Sequence, residues 1–297
     1  MIGPDALSRL TAQAVVPEQV LPYVQAVADS KPRIAGDCVG YLSEGTFVLV
    51  GYPLQDPLDE KAVRRSLEVV MRMPGLRKVI FIGPCDPPGI SGVLSGARDA
   101  YYALPIPPPP PGQKLRNLLR RATREVSIER GGLPDHEHLA MIQDFLASHP
   151  VSPETRHIFS RLTRYLEISP TSLLLSGRLV NGRLAGFVVG EYASLTTAFF
   201  MFSFRNPELA PPGTSDLLLS GLLDEALKRG QIQMNMGLGI NRGIRFFKEK
   251  WGAFPYLPHV QASWEPFSPG PIRRLLGYFR WGAAQKLVSS PGIRQDS

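Results

Sequence analysis

Residues 173–180 read LLLSGRLV, residues 183–192 read RLAGFVVGEY, and Asn181-Gly182 stands between them. Two apolar runs joined by Asn-Gly predict a strand, a type I′ turn and a second strand. This hairpin is the clearest β signal in the chain. Thr196–Phe204 (TTAFFMFSF) predicts a third strand beside it. Pro211-Pro212-Gly213-Thr214 is a loop, and Thr214 or Ser215 is placed to cap a helix over Asp216–Arg229 that Gly230 stops. Gln233–Leu238 (QMNMGL) reads as a strand, Arg242–Trp251 as a short basic helix and His259–Glu265 as a last strand. The order predicts an α/β (α+β) chain with a mixed, mostly antiparallel sheet flanked by helices.

Working back from the hairpin, Pro134–Ser148 and Pro153–Leu166 predict two helices. Lys114–Arg130 predicts another, with an apolar stripe (Leu115, Leu118, Leu119, Ala122, Val126) and a face carrying Lys114, Arg116, Arg120, Arg121, Arg124 and Arg130. Before it, Pro107–Pro111 cannot enter a helix or a central strand. The run reads as an interdomain connector, and it would also suit a polyproline-binding module. The first thirty residues show helical spacing broken by Pro17 and Pro22. Asp37–Leu42 and Thr46–Tyr52 flank a Glu44-Gly45 hairpin turn, Pro57–Met73 reads as a helix and Lys78–Gly83 as a buried strand.

The chain has 297 residues, a length that suits two domains at roughly 150 residues each. Its net charge of +7 suits anionic partners without reaching a histone-like excess. The longest uncharged stretches, Ala100–Gln113 and Tyr192–Phe204, are shorter than the ~18–20 residues of a membrane-spanning helix. The N-terminus has no basic-then-apolar layout of a secretory signal, and Cys38 and Cys85 make neither a disulfide framework nor a zinc site. A reducing cytoplasm is the expected home. The five histidines have no metal-ligand spacing, and no metal is expected.

Two motifs resemble those of a known superfamily. Residues 112–122 (GQKLRNLLRRA) are similar to the K-x-R-x-x-x-x-R-A helix that opens the second unit of Fem-type peptidyltransferases and of the soluble domain of phosphatidylglycerol lysyltransferases. Asn235-Met236-Gly237 and Phe247–Ala253 (FKEKWGA) resemble the same families' N-x-G strand end and FKxxWGA helix. The resemblance implies two GNAT-like units: residues 1–104 degenerate, 105–113 a linker, 114–270 bearing the site and 271–297 a basic amphipathic tail. It implies transfer of an acyl or aminoacyl group from aminoacyl-tRNA or acyl-CoA to an amine or hydroxyl, with a lipid headgroup among the candidate acceptors, in a bacterial cytoplasm.

Within that frame Lys114, Arg116, Arg120, Arg121, Arg245 and Lys248 are expected to hold donor phosphates, unless they are solvated faces. Phe204, Gly213, Thr214, Ser215 and Gly237 would line the donor. Acetyl-CoA enzymes of the superfamily carry a Q/R-x-x-G-x-G/A loop, but Arg205–Ser215 has three prolines and one glycine, a departure that favours a charged tRNA. Asn235 is placed to bind a substrate carbonyl. Glu191 and Asp216 are the carboxylates available as a base, although Asp216 also suits a helix start. The tail segment Pro271–Leu287 would either dock on the sheet or lie on the inner membrane face. The rival expectation is a non-catalytic module that binds anionic lipid or RNA.

Overall fold

The computed structural model describes residues 10–91 and 93–266; the amphipathic tail lies outside these residues. A 3-10 helix (Pro17–Gln19) and α1 (Leu21–Ala28) lead into β1 (Lys31–Ala35), β2 (Cys38–Ser43) and β3 (Thr46–Val50), then α2 (Glu60–Met71), β4 (Lys78–Gly83) and β5 (Leu94–Pro105). Pro17 and Pro22 open these helices instead of breaking one. The chain continues through α3 (Gln113–Glu125), β6 (Val126–Arg130), α4 (His136–Ser148), α5 (Pro153–Ser160), α6 (Leu162–Ile168), β7 (Ser172–Leu179), β8 (Leu184–Glu191) and β9 (Thr197–Arg205). It closes with α7 (Thr214–Lys228), β10 (Gln233–Leu238), α8 (Arg242–Glu249) and β11 (Phe254–Trp264).

Four expectations change. The helix expected over 114–130 stops at Glu125, because Val126 and Ile128 alternate with polar Ser127 and Glu129 and pair along β7 as an edge strand. The 153–166 helix is two, divided at Arg161. In the β7–β8 turn only Gly182 takes a left-handed φ (82°), so Asn181-Gly182 is not a type I′ pair. The cap of α7 is Gly213 (φ 92°), and the Thr214 hydroxyl donates back to Pro211 O at 2.8 Å.

All strands join one sheet in the order β1-β2-β3-β4-β11-β5-β10-β9-β8-β7-β6. Only β3–β4 and β9–β10 are parallel, each pair bridged by a helix, α2 or α7. The strand following β4 is β5, yet β5 pairs with β10; the strand following β10 is β11, yet β11 pairs with β4 along Val260–Trp264. The early and late parts of the chain thus exchange strands at the sheet's centre.

Alternating side chains feed different cores. Ile80, Ile82, Phe187 and Phe199 belong to one cluster that runs across the sheet beneath α1 and α4–α6. Their neighbours Val79 and Phe81 pack with Val63 and Leu67 of α2, whereas Ala198 and Phe200 pack with Leu115, Leu219, Phe247 and Trp251 of α3, α7 and α8. On α4, buried His138 joins Asp135 (2.7 Å) to Ser176 of β7 (2.8 Å).

Residues 10–20 cross the continuous face as a strap. Leu195 N–H and the Ser194 hydroxyl donate to Ala12 O (2.9 and 3.3 Å). Gln19 Oε1 takes the N–H groups of Val15 and Val16, and its Nε2 donates to Tyr52 O at 2.8 Å. Tyr41 Oη donates to Glu18 O, and Tyr101 Oη to the Glu18 carboxylate, both at 2.8 Å. Burial pushes Glu18 up to about 7, against the opposing pull of its own backbone and of Tyr101.

That shift fixes a sign. The buried carboxyl binds its proton more tightly folded than unfolded, so its contribution is full below about pH 4.5 and is lost as pH rises through about 7. Glu18→Gln should therefore gain stability relative to the native chain by about 3 kcal/mol between those pH values. Paired denaturant titrations at pH 4.5 and 7.5 check this; a difference that does not move with pH contradicts it.

Candidate functional site at the end of strand β10

Gln233, Met234 and Asn235 pair with Thr197, Ala198 and Phe199 of β9, and there the parallel pairing ends. On the other edge, the register with β5 shifts between Asn235 and Leu238. The cause is local. Asn235 Oδ1 accepts the Gly237 N–H at 2.7 Å, and Gly237 adopts a φ of 76° that a side chain would resist. β10 thus turns away from β9 and leaves a fork.

The segment after the fork is gripped by charge. Buried Lys248 donates from Nζ to Gly237 O (2.8 Å) and Leu238 O (2.6 Å). Asp99 of β5 accepts the N–H groups of Gly239 (3.1 Å), Ile240 (2.8 Å) and Ala100 (2.8 Å). Ile240, a β-branched residue, is held at a φ of 56°, a conformation that costs of order 1–3 kcal/mol. Burial lowers Lys248 to about 7, and Asp99 pulls it the other way.

Helix α8 presents Lys248 because its inner face carries Ile244, Phe247 and Lys248 at helical spacing, continued by Trp251 in the turn after it, with Asn241 capping at Ile244 N (2.9 Å). Trp251 Nε1 and Lys250 Nζ both reach Asp216 Oδ1, at 2.9 and 2.6 Å, which locks α8 to the first turn of α7.

The remaining expected residues are dispersed. Arg245 is exposed on α8 with its side-chain stem against Gly239, and Lys114, Arg116, Arg120 and Arg121 are exposed on α3. Arg116 donates to Pro111 O (3.0 Å) and Gln113 Oε1 (2.6 Å), and Arg121 pairs with Glu125 at 3.2 Å. Gly213, Thr214 and Ser215 lie beneath α3: a Cβ at Gly213 would stand 2.6 Å from Leu118 O, and Thr214 and Ser215 are buried. Phe204 belongs to an aromatic cluster with Phe187, Phe159 and Phe145, under the strap side of the sheet.

Glu191 and Asn235 occupy one row of the sheet with Phe199 between them. Glu191 is fully buried and accepts from Tyr165 Oη (2.7 Å), Ser169 Oγ (2.6 Å), Thr171 Oγ1 (2.5 Å), Tyr192 N (2.8 Å) and Ala193 N (3.0 Å). Asn235 Nδ2 donates to Val15 O at 2.8 Å and to Tyr256 Oη at 3.0 Å.

Asp99 and Tyr256 escape the sequence reading, because β5 and the first half of β11 carry no local strand pattern, and His259 enters it only as the start of the last strand. The signal was the repeated aromatic run Tyr101-Tyr102, obscured by Pro105, Pro255 and Pro258. His259 is buried edge-on to Tyr101 with Nδ1 unpartnered, and burial lowers it to about 4. Among the described residues no cluster of three or more His, Cys, Asp or Glu fits a metal, and no helix is long and apolar enough to cross a membrane.

Comparison with known proteins places this architecture. No family model matches the sequence, and no curated protein matches it. Solved structures do match. FemX superposes with a TM-score of 0.60 at 10% identity, covering 88% of this chain and 96% of its own. A C-terminal domain assigned to a lysylphosphatidylglycerol synthetase from Agrobacterium fabrum gives 0.54 at 16% identity, over 86% and 89%. A tandem GNAT protein from the clavulanic acid biosynthesis pathway gives 0.51 at 12% identity, over 89% and 94%. The chain has the GNAT fold that its GQKLRNLLRRA and FKEKWGA segments led one to expect.

Lys248 is depressed by folding, so its own contribution to stability rises as pH goes from about 7 to about 10.5, against the opposing contribution of the buried tyrosines. Lys248→Met should abolish that rise. Chemical denaturation at pH 7 and pH 10 checks it; equal slopes for both proteins would place the titration elsewhere.

Proposed function

We propose that the chain transfers an acyl or aminoacyl group from an activated donor to an amine or hydroxyl, and that the donor is an aminoacyl-tRNA. The observation that carries this reading is the fork at Asn235, with an ammonium and a carboxylate fixed on the segment just beyond it. A reacting carbonyl placed in the fork lies beside groups that need no rearrangement to meet developing charge. The fold shared with FemX and with the lysylphosphatidylglycerol synthetase domain supports the reaction class.

The start of α7 weighs against coenzyme A. A pyrophosphate there needs free backbone N–H groups at the helix N-terminus. Pro211 and Pro212 have none, α3 covers Gly213, and the Asp216 carboxylate already stands in the first turn. Phosphates of a larger donor instead find exposed cations on α3 and on α8, namely Lys114, Arg120, Arg124, Arg242 and Arg245. An acceptor amine can attack the donor carbonyl directly, with no covalent enzyme intermediate.

The experiment is a calorimetric titration with charged tRNA, acetyl-CoA and a long-chain acyl-CoA, followed by an assay for turnover with each donor. Charged tRNA should bind, and Arg120→Ala with Arg124→Ala should lower the slope of log K against log salt by about 2. Binding of coenzyme A thioesters alone would replace the donor. Binding of RNA or anionic vesicles with no turnover would replace the reading with that of a non-catalytic module.

A further inference from the structure

Val15 O sits at the fork and receives two hydrogen bonds, from Asn235 Nδ2 at 2.8 Å and from Tyr256 Oη at 2.7 Å. The two donors are also in contact with each other, at 3.0 Å. Neither is free to turn away. Asn235 Oδ1 is held by the Gly237 N–H, which aims the amide nitrogen at Val15, and Tyr256 is packed against the core of the strap side. Two preset donors converging on one carbonyl oxygen are the arrangement that stabilises a tetrahedral oxyanion. The oxygen they hold belongs to the chain itself.

We propose that Asn235 and Tyr256 form the hole for the donor's carbonyl oxygen, and that residues 10–20 are an autoinhibitory strap which keeps it shut with the Val15 carbonyl. The inference rests on the acyl-transfer reading above. It makes Tyr256 a catalytic residue, and it requires only a local opening. Ala12, Gln13 and Val15 reach solvent, so opening has to lift only buried Leu10, Thr11 and Ala14 with them, whereas Val16, Pro17 and Val20 are buried and anchor the rest of the strap. The ties to be broken include those at Ala12 O, Val15 O and Val15 N.

In the open state the donor carbonyl takes the place of Val15 O. The acceptor nitrogen's lone pair forms the C–N bond while the carbonyl π pair moves onto oxygen, under the Asn235 and Tyr256 hydrogens. The oxyanion then collapses, the ester C–O bond breaks, and its electron pair leaves with the tRNA ribose oxygen. The proton shed by the nitrogen goes to that oxygen.

Gln19 lies outside the hole, yet it holds Val15 N, Val16 N and Tyr52 O. Gln19→Met keeps the volume and removes those bonds. A donor that must first displace the strap binds with an affinity scaled by the open fraction. The variant should show faster hydrogen exchange over residues 10–16 and a lower Tm. It should also bind an RNA minihelix carrying an amide-linked amino acid about tenfold more tightly, the effect of about 1.4 kcal/mol removed from closure. A tie that merely supports the fold would lower stability and binding together. Tyr256→Phe should lower kcat by about 10²-fold with little change in donor affinity. If Gln19→Met misfolds or leaves exchange over residues 10–16 unchanged, Ser194→Ala loosens the strap instead by removing one of the two bonds to Ala12 O, leaving that from Leu195 N–H. Faster strap exchange with unchanged or weaker donor binding overturns the proposal and leaves the transferase reading intact. No donor binding by either protein, with the strap loosened, overturns both.

Discussion

Strand β11 lies between β4 and β5 and bonds to both, and much of the architecture depends on that seat. Without it the sheet would fall into two pieces, because the remaining strands have no other partner across the centre. The same strand carries Tyr256 beneath the strap and His259 beside Asp99 in register. Polar groups gathered at the sheet's centre come from residues distant in sequence: Glu18, Asp99, Asn235, Lys248 and Tyr256. A core of this kind is costly unless each group finds a partner. Nearly all do, and the partners are chiefly tyrosine hydroxyls and backbone groups.

The segment Gly237–Asn241 shows what the arrangement achieves. Carbonyls are drawn to a cation on one element and amides to an anion on another, so a backbone path that Ile240 resists is held from both sides. Neither charge needs mobile water to be satisfied. The result is a fixed local field at the place where β10 parts from β9, and fixed dipoles are worth more inside a protein than in solvent.

Most of the strands and helices around that place were legible in the residues. The Asn181-Gly182 hairpin, the Gln233–Leu238 strand, the α8 helix and its FKEKWGA run follow from local pattern alone. What local pattern does not carry is pairing across the chain. The proline-dotted β5 and the first half of β11 carry no local strand pattern because their β character is imposed by neighbours. The arginine repeat of α3 continues into Arg130 although the backbone has changed to a strand, since charge spacing is blind to an edge that needs a partner. Asn235 was singled out as an amide placed to bind a substrate carbonyl, and the structure shows that amide buried and hydrogen-bonded. Its partners, Val15 and Tyr256, lie 220 and 21 residues away in sequence, so no window around Asn235 contains both.

The strand exchange also bears on how the chain is born. During synthesis β4 emerges early, and its β11 partner is among the last of the sheet to leave the ribosome. Until then Val79–Gly83 offers an unsatisfied, strongly apolar edge, a template for wrong pairing. Distant pairings of this kind slow folding, and a partly made sheet is the species most open to aggregation. Production in the cell is therefore expected to lean on chaperones until β11 has left the ribosome, and a chain terminated before β11 should be degraded or precipitate, not persist as a folded fragment.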